Sequence, residues 1–313
     1  MITCPICKQA DTQFFAKGWD SEYKSTGEKF DYYYCRNCPV IFLLNPPVNR
    51  LNEIYPPSYY AFEEEGNFSV LGQAKRFLEK RFFRKILNQV PGEQLSVLDI
   101  GGGSGWMLET LKAAENRITK TAIVDIGQSA RPLAEKRGHI FYGGRIEDFK
   151  TEEQFDFILL LNLIEHVENP ELVMNKLRSL VKPTGLVLIK TPNIDTLDRH
   201  LFKNHNWGGL HCPRHWVLFN KKSLSDLADR CGLKTVSVIY TQGAPQWTPG
   251  ILGWCSDRGL IKVTRERPMH RHWLYKPLIA ITAAFDFVRL PFSKTAQMFF
   301  ILKLSDSEGH NVL

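Results

Sequence analysis

The chain has 313 residues, of which 43% are hydrophobic and 23% charged, which allows one large domain and one smaller domain. Its formal net charge of +7 predicts an anionic partner, such as a phosphate, a nucleic acid or a membrane surface. No apolar run is long enough for a membrane-spanning helix, and we expect no secretory signal. The seven cysteines, an odd number, do not resemble a disulfide framework and predict a reducing, cytoplasmic compartment.

Four of the cysteines form two Cys-x-x-Cys pairs near the start of the chain, Cys4 with Cys7 and Cys35 with Cys38. Four thiolates from two such pairs suit a tetrahedral, closed Zn²⁺ site. The 27 residues between the pairs exceed the usual compact spacing, but a hairpin can fill them. We therefore predict a zinc-ribbon domain over residues 1–48 that depends on its metal for folding. A vestigial or iron-binding site is the alternative.

Proline breaks at 46–47 and 56–57 separate this domain from a helical pattern over residues 69–90. We interpret residues 49–92 as a linker and capping helix. The apolar face of that helix is predicted to contain Leu71, Phe77 or Leu78, Phe82 and Ile86.

From residue 93 onward, short apolar runs alternate with helical patterns, which predicts a parallel sheet covered on both faces. The predicted strands are Leu95–Ile100, Thr121–Val124, Ile140–Tyr142, Phe155–Leu161, Leu186–Ile189, Leu233–Tyr240 and Met298–Leu304. The last two are separated by more than fifty residues, too many for a plain connection. We expect an insertion at about 241–296 that carries helices and lines the substrate pocket of a domain over 93–313.

The first of these strands ends in a glycine cluster, Gly101, Gly103 and Gly105, and a helix follows at once. Glycine permits positive φ and a close approach of ligand to backbone, and the helix start supplies free N–H donors. Asp125 ends the next strand, where a carboxylate can accept the hydroxyls of a ribose. Asp99, just before the loop, would repel a diphosphate but suits a sulfonium or an ammonium. A tight turn without a ligand is the alternative.

These motifs resemble the class I S-adenosylmethionine-dependent methyltransferases. Residues 97–105 match the first motif of that family, 144–149 the adenine loop, 155–167 the fourth-strand motif and 182–186 the turn before the fifth strand. The resemblance implies an α/β, Rossmann-like, doubly wound sheet of seven strands with an antiparallel last strand. It also implies that S-adenosylmethionine is held by Asp99, Gly101, Gly103, Gly105, Asp125, Ile126, Ile146, Glu147, Leu161 and Asn162.

The stretch from Cys35 to Tyr60 resembles the N-terminal region of zinc-ribbon methyltransferases that act on sugars, polysaccharides and natural products. This resemblance implies a small or lipid-linked biosynthetic intermediate as methyl acceptor, with a sugar or glycan precursor as the leading interpretation. The alternatives are a quinone or other aromatic hydroxyl, and a zinc-ribbon RNA methyltransferase or RNA-binding module.

Methyl transfer to a hydroxyl or a carbon acid requires a general base, and histidine is the usual one near neutral pH. His166, next to Glu165, follows the fourth strand at the ligand-binding edge of the sheet. We hypothesise that His166 is a base oriented by Glu165; a hydrogen-bonded residue at a helix start is the alternative. Some small-RNA and quinone methyltransferases hold a divalent metal with Glu-x-x-Glu-His, but Asn162 replaces the first glutamate here.

The second candidate base is His215, in a Pro-x-His-x-x-x-Phe stretch similar to one that lies near the acceptor in the resembling enzymes. A loop that packs on Trp207 and Trp216 and caps the site is the alternative. A metal site formed by His211, Cys212 and His215 is a weaker hypothesis, because Pro213 interrupts a regular helix.

Cations are concentrated in the 69–90 helix and in the insertion, and a solvated surface is the simplest interpretation. Peripheral membrane contact through residues 270–290 is a second hypothesis, which would place this cytoplasmic protein at the inner membrane face. Nucleic acid is the weaker partner, since the fourth strand lacks the Asn/Asp-Pro-Pro-Tyr/Phe motif of many base methyltransferases.

Overall fold

The computed structural model describes residues 1–59 and 70–305, without the side chains of 70–75 and 204. Of the predicted features, Tyr60, the start of the 69–90 helix and the side chain of Leu71 lie outside the described part. The strands are β1 Thr12–Trp19, β2 Lys29–Cys35, β3 Ile41–Leu43, β4 Leu95–Ile100, β5 Ile118–Asp125, β6 Ile140–Gly143, β7 Phe155–Leu161, β8 Val181–Pro192, β9 Val217–Leu218, β10 Leu233–Thr241 and β11 Gln297–Leu304. The helices are α1 Leu51–Ile54, α2 Val70–Leu87, α3 Trp106–Lys112, α4 Arg131–Lys136, α5 Pro170–Leu180, α6 Leu197–Phe202, α7 Lys221–Arg230, α8 Ala244–Asp257 and α9 Tyr275–Arg289.

Seven strands form the large sheet, in the order β10-β11-β8-β7-β4-β5-β6. The five strands from β6 to β8 pair in parallel, whereas β11 runs antiparallel to both of its neighbours. The central strand β7 is buried along all but its last residue, because helices cover both faces of the sheet. The Rossmann-like sheet with an antiparallel last strand, predicted from the sequence, is confirmed.

The apolar face predicted for α2 is partly wrong. Phe77 and Leu78 are 66% and 64% exposed, whereas Phe83 and Ile86 are buried in the core on one face of the sheet. Among the side chains that the structure describes, those of the C-terminal turns of α2 reach that core, whereas Phe77 and Leu78 remain at the surface.

A second sheet has four strands, in the order β1-β2-β3-β9, and Cys35 is the last residue of β2. Its last strand, β9, lies about 175 residues further along the chain and pairs with β3 through Ile41 opposite Leu218. The predicted zinc-ribbon segment is therefore joined to the large domain by main-chain hydrogen bonds. The division at residues 48 and 92 stays a prediction.

Between β10 and β11 lie the two helices α8 and α9, which pack against each other. The predicted insertion thus carries helices. None of the helices in the described part of the chain has the length and apolar character needed to cross a membrane.

Candidate active site

The glycine loop after β4 has a backbone that only glycine suits at its last position. Gly105 has φ of 78°, and a Cβ there would lie 2.3 Å from Cδ2 of His139, so both conformation and space exclude a larger residue. Gly103 also has positive φ, but an added Cβ would meet no atom within 4 Å in the described structure. The loop is therefore packed on one side and open on the other, where a ligand can approach the backbone.

Asp125, at the end of β5, is held against this loop. One carboxylate oxygen accepts a hydrogen bond from the N–H of Gly103 (2.8 Å) and the other from the N–H of Gly127 (2.6 Å). The side chain is only half-buried, and each carboxylate oxygen can accept more than one hydrogen bond. Asp125 can thus receive further hydroxyl donors, as the ribose-binding hypothesis requires.

Asp99 lies beneath the loop and is 3% exposed. Burial, together with the nearby Asp125, raises the pKa of Asp99 to about 7, because both disfavour its charged form. A bound cation would reverse this effect. The position therefore suits the positively charged part of a ligand and not a phosphate.

Asn162 directly follows β7 and has a left-handed backbone, φ 52°. Its N–H donates to the carbonyl of Lys190 (2.7 Å). Its side-chain oxygen is buried and accepts no hydrogen bond from the described residues. A buried acceptor without a donor is unfavourable, and an ammonium or hydroxyl donor of a ligand would satisfy it. This orphaned oxygen, the open side of the loop and the carboxylates of Asp99 and Asp125 fit S-adenosylmethionine.

The other predicted cofactor residues lie along the same edge of the sheet. Ile126 follows Asp125 with its side chain 58% exposed, whereas Ile146 is 3% exposed and packs in the core. Only the backbone of Ile146 is therefore available to a ligand. Glu147 and Leu161 are half-buried.

Both predicted base histidines lie in one buried cluster with His211. The ring centres of His166 and His215 are 4.7 Å apart, and those of His211 and His215 are 5.0 Å apart. His166 follows β7, whereas His211 and His215 belong to the loop between α6 and β9. The structure thus brings together two motifs that are about fifty residues apart in the sequence.

Hydrogen-bond partners determine which ring nitrogens carry a proton. Nδ1 of His215 lies 2.8 Å from the carbonyl oxygen of Gly209, and Nδ1 of His166 lies 2.9 Å from that of Arg214. A carbonyl only accepts, so each Nδ1 donates and each Nε2 keeps a lone pair. Burial lowers the pKa of His166 to about 3, with a further contribution from His211, and lowers that of His215 well below its ordinary value. Both rings are therefore neutral, and each is a weaker base than a free imidazole.

Glu165 is fully buried and does not orient His166. One carboxylate oxygen accepts from the hydroxyl of Thr191 (2.9 Å), and the other lies 3.9 Å from Nε2 of His166, beyond hydrogen-bond distance. The carbonyl of Arg214 and the hydroxyl of Tyr55, each 2.9 Å from Nδ1, orient the ring instead. Burial raises the pKa of Glu165 to about 7.

Glu165, His166 and His215 each place one potential ligand atom within 4.8 Å of the others. Two imidazoles and a carboxylate are a common donor set for divalent metals. This trio differs from the metal site predicted from the sequence, which consisted of His211, Cys212 and His215. Cys212 is buried beside Tyr32 instead.

Three further residues of the cluster come from the N-terminal part of the chain. Besides Tyr55, the hydroxyl of Tyr59 lies 3.4 Å from Nε2 of His211, and a carboxylate oxygen of Glu22 lies 2.6 Å from its Nδ1. The run of tyrosines beside the second proline break is a signal that sequence reasoning could have used. Glu22, inside the hairpin between the cysteine pairs, gives no such signal.

A buried ion pair fixes this hairpin to the histidine loop. Asp20 and Arg214 are 1% and 0% exposed, and the carboxylate accepts from the guanidinium at 2.9 Å. The same carboxylate accepts from the N–H and the hydroxyl of Ser25, and the guanidinium lies over the ring of Tyr23. The cysteine hairpin therefore forms one wall of the histidine cluster.

The four paired cysteines meet at one point of the hairpin sheet. Sulfur–sulfur distances are 3.5 Å for Cys4 and Cys38, 3.5 Å for Cys7 and Cys35, and 3.7 Å for Cys35 and Cys38. Thiolates at about 2.3 Å from a tetrahedral Zn²⁺ lie about 3.8 Å apart. The N–H groups of Ile6 and Cys38 point at two of the sulfurs, as suits thiolates. The cluster is compatible with a structural zinc site.

The comparisons with known proteins agree with this geometry. The methyltransferase domain family matches residues 72–238, more than half of the chain. The ubiquinone biosynthesis O-methyltransferase of Dictyostelium discoideum is 30% identical over 119 residues, 33% of this chain and 37% of that protein. Its counterpart in Rickettsia bellii is 26% identical over 149 residues, 46% of this chain and 62% of that protein. The chain thus spans about half the length of the curated relatives it matches.

Among solved structures, a coclaurine N-methyltransferase bound to N-methylheliamine and S-adenosylhomocysteine superposes with a TM-score of 0.51 at 15% identity. The superposition covers 77% of this chain and 73% of that one. At this identity the likeness concerns the fold, which agrees with the strand order described above. The matched family, the sheet order and the glycine loop together show that the chain belongs to the S-adenosylmethionine-dependent methyltransferases.

Proposed function

We propose that the chain transfers the methyl group of S-adenosylmethionine to a hydroxyl oxygen of a small aromatic, quinol-type acceptor. The observation that carries the proposal is the cluster of three histidine rings at the ligand-binding edge of the sheet, in which His166 and His215 each turn Nδ1 to a backbone carbonyl and leave Nε2 as an acceptor. Burial lowers the pKa of both rings and makes them weak bases, so the acceptor hydroxyl has to be acidic; a phenolic hydroxyl, with a pKa near 10, gives up its proton more easily than an aliphatic sugar hydroxyl. The names of the curated relatives support the same choice. The sugar precursor is therefore the second candidate.

In this proposal the cofactor edge and the histidine cluster have separate tasks. Asp125 binds the ribose hydroxyls, while Asp99 and Asn162 receive the positively charged part of the cofactor. When bound, the cofactor supplies a methyl group already activated as a sulfonium. The chain then has to position the acceptor and remove one proton.

His215 is the better candidate for the proton acceptor. It lies between the rings of His166 and His211, and its Nδ1–H is fixed by a backbone carbonyl. Tyr55 and the Arg214 carbonyl hold His166 at its side. The proton would therefore pass from the acceptor hydroxyl to Nε2 of His215 and from there towards solvent.

The trio of Glu165, His166 and His215 supports a second mechanism, in which a divalent cation lowers the pKa of the acceptor hydroxyl. We further propose that Zn²⁺ occupies the four-cysteine cluster, with a structural role. Metal analysis separates these sites: about one zinc per chain fits the cysteine cluster alone. A second equivalent that a chelator removes together with activity favours the metal-assisted mechanism.

The direct test incubates the purified chain with S-adenosylmethionine and either catechols and hydroquinols or nucleotide sugars, with products identified by mass spectrometry. We expect O-methylated catechol or hydroquinol. We expect His215→Ala to lower kcat by about 10²–10⁴ without weakening S-adenosylhomocysteine binding. His200→Ala, an exposed histidine on α6, is the matched control. Methylation of the sugars alone, or near-normal turnover by the His215 variant, would contradict the proposal.

A further inference from the structure

The C-terminal half of the helix α9 buries a carboxylate and exposes large apolar side chains, the opposite of what is expected for a helix that faces water. Asp286 is fully buried and accepts hydrogen bonds from the N–H of Gly243 (2.7 Å) and the indole N–H of Trp247 (3.1 Å). On the outer side, Ile281, Phe287 and Val288 are 64%, 74% and 71% exposed. The buried carboxylate of Asp286 thus faces α8, whereas Ile281, Phe287 and Val288 are exposed.

Exposed aromatic side chains also flank the helix at both ends. Trp273, just before α9, is 77% exposed, and Phe292, just after it, is 88% exposed. Large apolar side chains exposed together in one segment are typical of a contact with a partner or a membrane. We name the outer face formed by Trp273, Ile281, Phe287, Val288 and Phe292 the α9 surface.

The charge around the α9 surface indicates the kind of partner. Residues 258–294 contain eight lysines and arginines against two acidic residues. One of the two acids is the buried Asp286, which is paired with Arg289. Near the start of α9, Lys262, Arg267 and Arg271 line one cleft together with His272 and Trp273. Apolar, tryptophan-bearing surface beside clustered cations is typical of segments that lie in the interface of an anionic membrane.

From these observations we infer that the α9 surface binds the interface of an anionic phospholipid bilayer, with the Lys262–Arg267 cleft at the lipid phosphates. A second copy of the chain is the competing occupant. In a two-fold dimer centred on the α9 surface, the cationic clefts of both copies would flank one interface, and like charges brought together disfavour it. The bilayer instead satisfies both the apolar and the cationic groups.

The inferred contact lies one helix away from the candidate active site. The loop Gly208–Leu210, which carries the carbonyl that binds His215, packs on α8: a Cβ on Gly208 would lie 2.2 Å from the carbonyl oxygen of Gln246. On its other side α8 contacts α9. Membrane binding would therefore bring the histidine cluster near the bilayer, whatever the acceptor is.

The test is flotation of the purified chain with vesicles of phosphatidylcholine alone and of an equimolar mixture with phosphatidylglycerol. We expect binding to the mixed vesicles only, reduced by salt. Ile281→Glu with Val288→Glu should lower the partition coefficient by about tenfold or more, and Lys262→Ala with Arg267→Ala should lower it too. Leu172→Glu, at a 48% exposed apolar position on α5, is the matched control and should bind like the wild type.

Circular dichroism checks that each variant is folded, and sedimentation velocity gives the oligomeric state. Equal binding to both vesicle types, no binding, or unchanged binding of the Ile281/Val288 variant would overturn the inference. A wild-type dimer that the Ile281/Val288 variant converts to a monomer would assign the α9 surface to a second copy. None of these outcomes depends on methyl transfer measured in solution. The inferred membrane contact and the proposed methyltransferase reaction can therefore be contradicted independently of each other.

Discussion

Asp99 illustrates a conflict between stability and binding at a single residue. In the folded chain its pKa is raised to about 7 by burial and by Asp125, whereas an aspartate in an unfolded chain has a pKa near 3.9. The folded state therefore holds the proton more tightly. The stability that this group contributes is fully present below the unfolded pKa and is lost as pH rises through about 7.

We predict that Asp99→Asn stabilises the cofactor-free chain relative to the wild type at pH 8, because asparagine cannot ionise. The advantage should grow by roughly 2–3 kcal/mol between pH 5 and pH 8, as measured by urea denaturation. The same change should weaken S-adenosylhomocysteine binding. Asp229→Asn, at an exposed position on α7, is the control. An advantage independent of pH, or greater at pH 5, would count against this account of Asp99.

At the residue scale, the sequence predicts what is local and misses what is distant. The glycines and Asp125 are recognisable because the loop and the next strand end have fixed spacing. Tyr55 and Glu22 are not, because the first contacts His166 across 111 positions and the second contacts His211 across 189. The protonation of the rings also depends on partners, such as the carbonyl of Gly209, that only the folded loop provides.

At the scale of elements, the cysteine sheet supports the histidine loop. Strand β3 pairs with β9, and the hydroxyl of Tyr32 on β2 donates to the carbonyl of His215 (3.3 Å). The sequence predicts the parallel strands, which are continuous apolar runs. It does not predict β9, because two residues carry no periodicity and their partner lies about 175 positions away.

We predict that Cys35→Ser abolishes zinc binding and distorts the sheet β1-β2-β3-β9 around the four cysteines, while the chain stays folded. Because the histidine loop loses that support, kcat should fall by roughly 10²-fold or more, while S-adenosylhomocysteine affinity changes little. Cys255→Ser on α8, away from the cluster, is the matched control. Zinc is measured by mass spectrometry and turnover by product formation. A zinc-free variant with full turnover would show that the cysteine sheet has no part in the active site.

At the scale of the whole molecule, the cysteine hairpin and the large domain are expected to unfold together. They share the pairing of β3 with β9 and the ion pair of Asp20 with Arg214, which is fully buried. Removing one partner of such a pair leaves a buried charge without compensation. The net charge and the composition do not predict this coupled unfolding, since they do not specify which charged side chains are buried.

We predict that Asp20→Asn lowers the free energy of unfolding by about 3–5 kcal/mol and leaves a single transition. Far-ultraviolet circular dichroism and tryptophan fluorescence should report coincident denaturation curves. The control is Asp11→Asn, at an exposed position near the start of β1. It should change the free energy of unfolding little. Two separate transitions in the wild type would show instead that the hairpin and the large domain fold independently.

The most direct test of the central claim is calorimetric titration of the zinc-loaded chain with S-adenosylhomocysteine, with NAD as the comparison ligand. We expect micromolar binding of S-adenosylhomocysteine, none of NAD, and affinity at least about tenfold weaker in Asp125→Ala. Failure of the folded wild type to bind S-adenosylhomocysteine, or equal binding of NAD, would contradict the assignment of the glycine loop and Asp125 to this cofactor.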